Sequence, residues 1–126
     1  MTDDRYERGI GVRREVLGDA HVDAAVAGGS PLTADFQELI TRYAWGEVWA
    51  RPGLDRRTRS CMTLIALVAL NRMDELALHV RAALRNGLTH EEIKEVLLHS
   101  AIYCGVPAAN AAFAVAQRAL DEAAEG

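Results

Sequence analysis

No long apolar run and no excess of basic charge occur in this 126-residue chain. Nothing approaches the roughly 20 consecutive apolar residues that span a bilayer. The opening residues, MTDDRYERG, are charged where a secretory leader is apolar, so a cytoplasmic protein is expected. Asp and Glu number 18 against 14 Lys and Arg, a net charge of -4. The basic face of a nucleic-acid binder is therefore missing, and neither nucleic acid nor membrane is an expected partner. Cysteine is scarce. Cys61 and Cys104 lie far apart inside apolar segments, a placement of reduced core residues and not of a disulfide frame or a redox pair. Alternating apolar and polar runs joined by hairpin turns are absent too, which removes the β signal.

What is present is helical periodicity, and the expected class is an all-α helical bundle. With half its residues hydrophobic, a chain of this length suits a single domain over residues 1–126, burying roughly two thirds of its unfolded surface. A charged helix is expected over 4–17, ended by Gly18, and a short one over 20–27 before the loop Gly28, Gly29, Ser30, Pro31. Thr33 is placed to cap a helix over 33–50, where Pro52 and Gly53 force a turn. Asp55 opens the next helix, which contains CMTLIALVAL, apolar on every side, as a central helix or one in a subunit contact would be. A helix over 73–86 stops at Gly87. Thr89 and Glu92 then form a capping box, with Leu88 stapled onto Ile93, opening a helix to about 103. Gly105 and Pro107 precede an Ala-rich helix to about 124.

Three features could carry chemistry. Phe36, Leu39, Ile40, Tyr43, Glu47 and Ala50 share one helical face, so Glu47 is expected to continue an apolar stripe. A buried carboxylate needs a partner or a proton. It is either a structural ion pair with an arginine or an ionisable group at work. His79 follows the inner stripe of Leu76, Val80, Ala83 and Leu84, as a core histidine would. Beside a carboxylate it would be a competent proton donor near neutral pH. His99, between Glu95 and Tyr103, has the same two readings on a helix expected to show little solvent-facing surface, while His21 and His90 look exposed. Arg51, Arg56, Arg57 and Arg59 crowd one short segment. Three of them stand in the first turn of a helix, where the dipole disfavours cations. They are either salt-bridged surface residues or a cradle for a carboxylate. Trp45 and Trp49, opposite Glu47, mark a second buried surface.

The runs ERGIGVRREVLG, WGEVWARPGLDRRTRS and HVRAALRNGLTHEEIKEVLLHSAIYCGVPAANAAF cover much of the chain. The chain resembles, over nearly its whole length, the γ-carboxymuconolactone decarboxylase family of the alkylhydroperoxidase-D-like superfamily. The resemblance implies an all-helical homohexamer that decarboxylates 4-carboxymuconolactone to the enol-lactone of β-ketoadipate in protocatechuate catabolism. No cofactor and no metal are expected. Loss of CO2 from the ring carbon sends charge through the double bond into the lactone carbonyl, so the substrate supplies its own electron sink. The protein must hold two carboxylates, stabilise the dienolate oxygen and protonate the carbon beside the carbonyl. On this basis Arg56 and Arg59, with Arg51 or Arg81, are expected to anchor the carboxylates and His79 to give the proton. Glu47 would charge that histidine, and His99 or Tyr103 would hydrogen-bond the oxyanion. The superfamily's peroxidase branch follows the same glutamate with Cys-x-x-Cys and a histidine. Here those places hold Ser60, Thr63 and Leu67, which counts against thiol chemistry. A thiol peroxidase or disulfide reductase using Cys61 or Cys104, and a non-catalytic oligomeric binding protein, are the competing functions.

Overall fold

A computed structural model describes residues 3–126, and among them every regular element is helical. Two compact units divide the chain after Asp55.

The first unit comprises α1 (Arg5–Leu17), α2 (Asp19–Ala27), α3 (Ala34–Ile40) and a π-helical continuation of α3, Thr41–Trp49. Boundaries fall where backbone chemistry requires them. Gly18, at φ 90°, turns the chain from α1 into α2, in a conformation that glycine adopts without a Cβ penalty. Thr33 precedes α3 as expected, but its hydroxyl makes no cap bond and instead joins Ser30, accepting from the Ser30 amide at 3.0 Å. The widening to π turns begins at Thr41, whose hydroxyl donates to the Gln37 carbonyl at 2.7 Å, a back-bond of the kind that perturbs helices.

Glycine lets α1 and the π-helical segment meet backbone to backbone. A Cβ on Gly9 would collide with the Thr41 carbonyl oxygen, and one on Gly46 with that of Arg5. Val12, Val16, Leu17, Val22 and Trp45 are buried around this crossing, and Trp49 stacks on Trp45 with ring centroids 5.2 Å apart.

The expected orientation of the Glu47 face needs correction. Phe36, Leu39 and Tyr43 are exposed, and the Glu47 side chain is 38% accessible. The inner face carries Thr41, Trp45 and Gly46. Glycine against glycine permits a closer approach than the bulkier stripe would, so the tryptophan face turns inward.

The second unit is built from α4 (Arg56–Ala69), α5 (Met73–Arg85), α6 (His90–Cys104) and α7 (Val106–Glu125). Its core joins Leu64 and Val68, Leu76 and Val80, Leu88, Ile93 and Leu97, and the α7 alanines 112, 116 and 119. Full burial of each large aliphatic contributes about 1.5–3 kcal/mol, and the small α7 residues admit close packing. The capping box forms in full: Glu92 N–H donates to the Thr89 hydroxyl at 3.1 Å and Thr89 N–H to the Glu92 carboxylate at 2.9 Å. Leu88 and Ile93 are buried in one cluster, as the staple requires. Gly87, at φ 98°, releases the chain from α5, and its carbonyl accepts from Arg57. Pro107 sits in the first turn of α7, where its missing N–H removes no helix bond. Cys61 and Cys104 are half-buried against this core and form no disulfide. Among the described residues no helix is long and apolar enough to cross a membrane.

Candidate active site

Glu47 and Arg51 belong to the first unit. The other candidates belong to the second. Glu47 is ion-paired: Arg5 Nη1 donates to its carboxylate at 3.2 Å, and the same guanidinium grips Asp3 at 2.9 Å. Asp3 also receives Arg42 at 3.1 Å. The hydrogen bond from the Arg5 side chain, followed by that from the Arg5 amide, holds the Asp3 carboxyl well below the usual carboxylate range. Arg51 is exposed, its amide donating to the Val48 carbonyl at 3.1 Å.

In α5 the expected inner stripe is real. Leu76, Val80 and Ala83 are fully buried and His79 is half-buried among them. One turn earlier stands Glu75. Its carboxyl lies below the ordinary value, first through a hydrogen bond from its own backbone N–H, then through Arg72 at 3.0 Å, and lastly through the field of His79. Glu75 is thus a carboxylate electrostatically coupled to His79 within the second unit. The i, i+4 spacing alone signals the pair.

The arginines separate by role. Arg57, exposed, binds the Gly87 carbonyl and the Glu92 carboxylate, tying the start of α4 to the capping box of α6. Arg56 and Arg59 are half-buried along α4. Arg81 reaches Glu122 of α7 at 3.7 Å. The peroxidase places hold structural hydroxyls: buried Ser60 accepts from Asn86 Nδ2 at 2.8 Å, and Thr63 donates to the Arg59 carbonyl at 2.8 Å.

His99 departs from expectation. It is exposed, as are Leu98, Ile102 and Tyr103, because Ile93, Leu97 and Ser100 take the inward face of α6. The two proposed oxyanion donors do stand together, with the His99 and Tyr103 rings 5.0 Å apart at a 34° tilt. Among the described residues, no three His, Cys, Asp or Glu side chains gather as metal ligands would.

Residues 34–118 match the carboxymuconolactone decarboxylase family. Over 118 residues, covering 94% of this chain and 88% of the relative, the sequence is 48% identical to a 4-carboxymuconolactone decarboxylase of Acinetobacter baylyi. It is 45% identical over 117 residues, 93% of this chain and 82% of the other, to a nitrosuccinic acid decarboxylase of Metarhizium robertsii. A 4-carboxymuconolactone decarboxylase of Pseudomonas putida is 51% identical over 43 residues, 34% of this chain and 90% of that one.

Proposed function

The chain belongs to the carboxymuconolactone decarboxylase family, and from that premise we propose the reaction and its residues. It is a carboxy-lyase that converts 4-carboxymuconolactone to the enol-lactone of β-ketoadipate, a step of protocatechuate catabolism. The observation that carries this reading is 48% identity across 94% of the chain to a relative of that name. Another near-full-length relative is named for nitrosuccinic acid. A nitro group, like a conjugated lactone carbonyl, accepts the electron pair that departing CO2 leaves behind.

In the proposed mechanism the bond from the ring carbon to the carboxylate breaks, CO2 leaves, and the electron pair passes through the ring double bond to the carbonyl oxygen of the lactone. A proton then returns to the carbon beside the carbonyl. His79 is the donor. A half-buried imidazole in an apolar stripe, with the Glu75 carboxylate one turn away, is placed as a general acid would be. Arg56 and Arg59 hold the substrate's carboxylates. Their partial burial strengthens a guanidinium–carboxylate pair relative to one in open water. Arg51 and Arg81 are the further anchors, Arg81 by exchanging Glu122 for substrate, and His99 or Tyr103 serves the oxyanion. Glu47, ion-paired with Arg5, is the remaining candidate catalytic residue.

The exposed apolar face of α6, with Leu98, Ile102 and Tyr103, and that of Phe36, Leu39 and Tyr43, support assembly into a homo-oligomer, a hexamer in this proposal. A cytoplasmic location and one domain over residues 1–126 accompany it. The test is to supply freshly generated 4-carboxymuconolactone and, separately, nitrosuccinate. A larger kcat/KM for the lactone, with CO2 and enol-lactone formed one to one, supports the reading. Turnover of nitrosuccinate alone refutes the substrate.

A further inference from the structure

The first unit contains a cleft of about 780 Å³ that none of the residues proposed for decarboxylation lines. Its walls come from α1, from the end of α2 with the loop after it, and from α3. Ile10, Ala25, Val26 and Pro31 give them apolar surface, and Arg13, Gln37, Glu38, Thr41 and Arg42 contribute to a comparable polar share. The volume lies within the range of about 300–1,000 Å³ typical of small-molecule sites.

Arg13 is the informative residue. It is only 6% exposed, its Nη1 donates to the Thr41 hydroxyl at 3.3 Å, and its buried Nε has no hydrogen-bond partner. Among the described residues no carboxylate pairs with it. The cleft's other guanidinium, Arg42, is by contrast neutralised by Asp3 at 3.1 Å and Glu38 at 3.4 Å. Burial pulls Arg13 below arginine's ordinary value, yet an arginine stays charged in proteins. A buried cation without a counter-charge is costly, and such groups are as a rule paired. One uncompensated positive charge at the side of a partly apolar cleft has the complementarity of a monoanion carried on a partly apolar body.

We propose that this cleft is an accessory binding site for a small monocarboxylate with an apolar or aromatic body, its carboxylate paired with Arg13. A dicarboxylate fits less well, since Arg42 is already neutralised and Glu38 lines the cleft. The site stands apart from the decarboxylation proposal and survives its failure.

Calorimetric titration of the full-length protein with benzoate, with benzamide as the neutral control, tests it. The expected result is one saturable benzoate site per chain, at least about tenfold tighter than benzamide. Arg13→Met removes the charge at similar volume and should weaken benzoate at least about tenfold, leaving benzamide unchanged. If that variant does not fold, Ala25→Leu keeps the arginine and fills the cleft, with the same loss expected. A crystal structure with 4-iodobenzoate should place iodine between α1, α2 and α3. Equal binding of benzoate and benzamide, binding unaltered by the variants, iodine only outside the cleft, or no saturable binding would each overturn the proposal.

Discussion

Replacing Gly9 by alanine tests the packing of the first unit with an internal control two residues away. An added Cβ at Gly9 would overlap the Thr41 carbonyl oxygen and lie 3.0 Å from the Gly46 nitrogen. Both obstacles are backbone, so no side-chain rotation relieves them, and the π-helical segment has to move off α1. That movement strains the bond from Arg8 Nε to the Gly46 carbonyl at 3.0 Å and the Arg5–Glu47 pair at 3.2 Å. Overpacking of this kind costs typically about 1–3 kcal/mol and occasionally more. Alanine's better helix propensity returns about 1 kcal/mol. At Gly11, on the same helix, a Cβ meets nothing within 4 Å, and only the propensity gain of about 0.8–1 kcal/mol remains. Urea unfolding followed by circular dichroism should therefore show Gly11→Ala stabilised and Gly9→Ala destabilised, by a net of up to about 2 kcal/mol. A Gly9→Ala protein as stable as Gly11→Ala would refute the close backbone crossing.

Thr89→Ala deletes one half of the capping box and should lower stability by about 1 kcal/mol, read as a shift of the unfolding midpoint. No shift would mean that α6 does not depend on its cap. The Asp3 carboxyl is lower in the folded protein than in the unfolded chain, so its contribution is full above the unfolded value of about 3.9 and fades as pH falls through the folded value. Hydrogen exchange at residues 5–9, measured relative to α6, should accelerate as pH drops below about 4, and Asp3→Asn should show the faster relative exchange already at neutral pH. Equal relative exchange at both pH values would remove the clasp from the account. Glu47→Gln should depress turnover, whereas unaltered turnover would leave Glu47 as the structural partner of Arg5.

Helix ends were the most legible part of the sequence, because they are written in local chemistry. Gly18, Gly87 and the Thr89–Glu92 box mark boundaries through backbone conformation and capping, and the structure places them there. The direction in which a helix faces was less legible. Phe36, Leu39 and Tyr43 show good 3.6-residue periodicity, yet they lie outward. The turns widen to i→i+5 after Thr41, and the glycines 9 and 46 that decide the inner face are far apart in sequence. The outward position of His99 is hidden from the sequence on the same ground. An α6 apolar on two sides does not announce which side meets the core and which meets another surface. Of the candidate site, the half-burial of His79 and the separate role of serine and threonine at the peroxidase places follow residue identity closely. The Glu75–His79 pair is signalled by its i, i+4 spacing, whereas the buried Arg13 required coordinates, since a missing counter-charge is not a property of a short window.

Decarboxylation of 4-carboxymuconolactone in D2O, by the native protein and by His79→Ala, tests the central claim most directly. The native protein should release one CO2 per lactone and place deuterium on one face of the carbon beside the carbonyl. His79→Ala should be slower by about 10²–10⁴-fold, the usual worth of a general acid. Lactone that decays at the buffer rate in the presence of native protein, or a His79→Ala protein within a few fold of native, would contradict it.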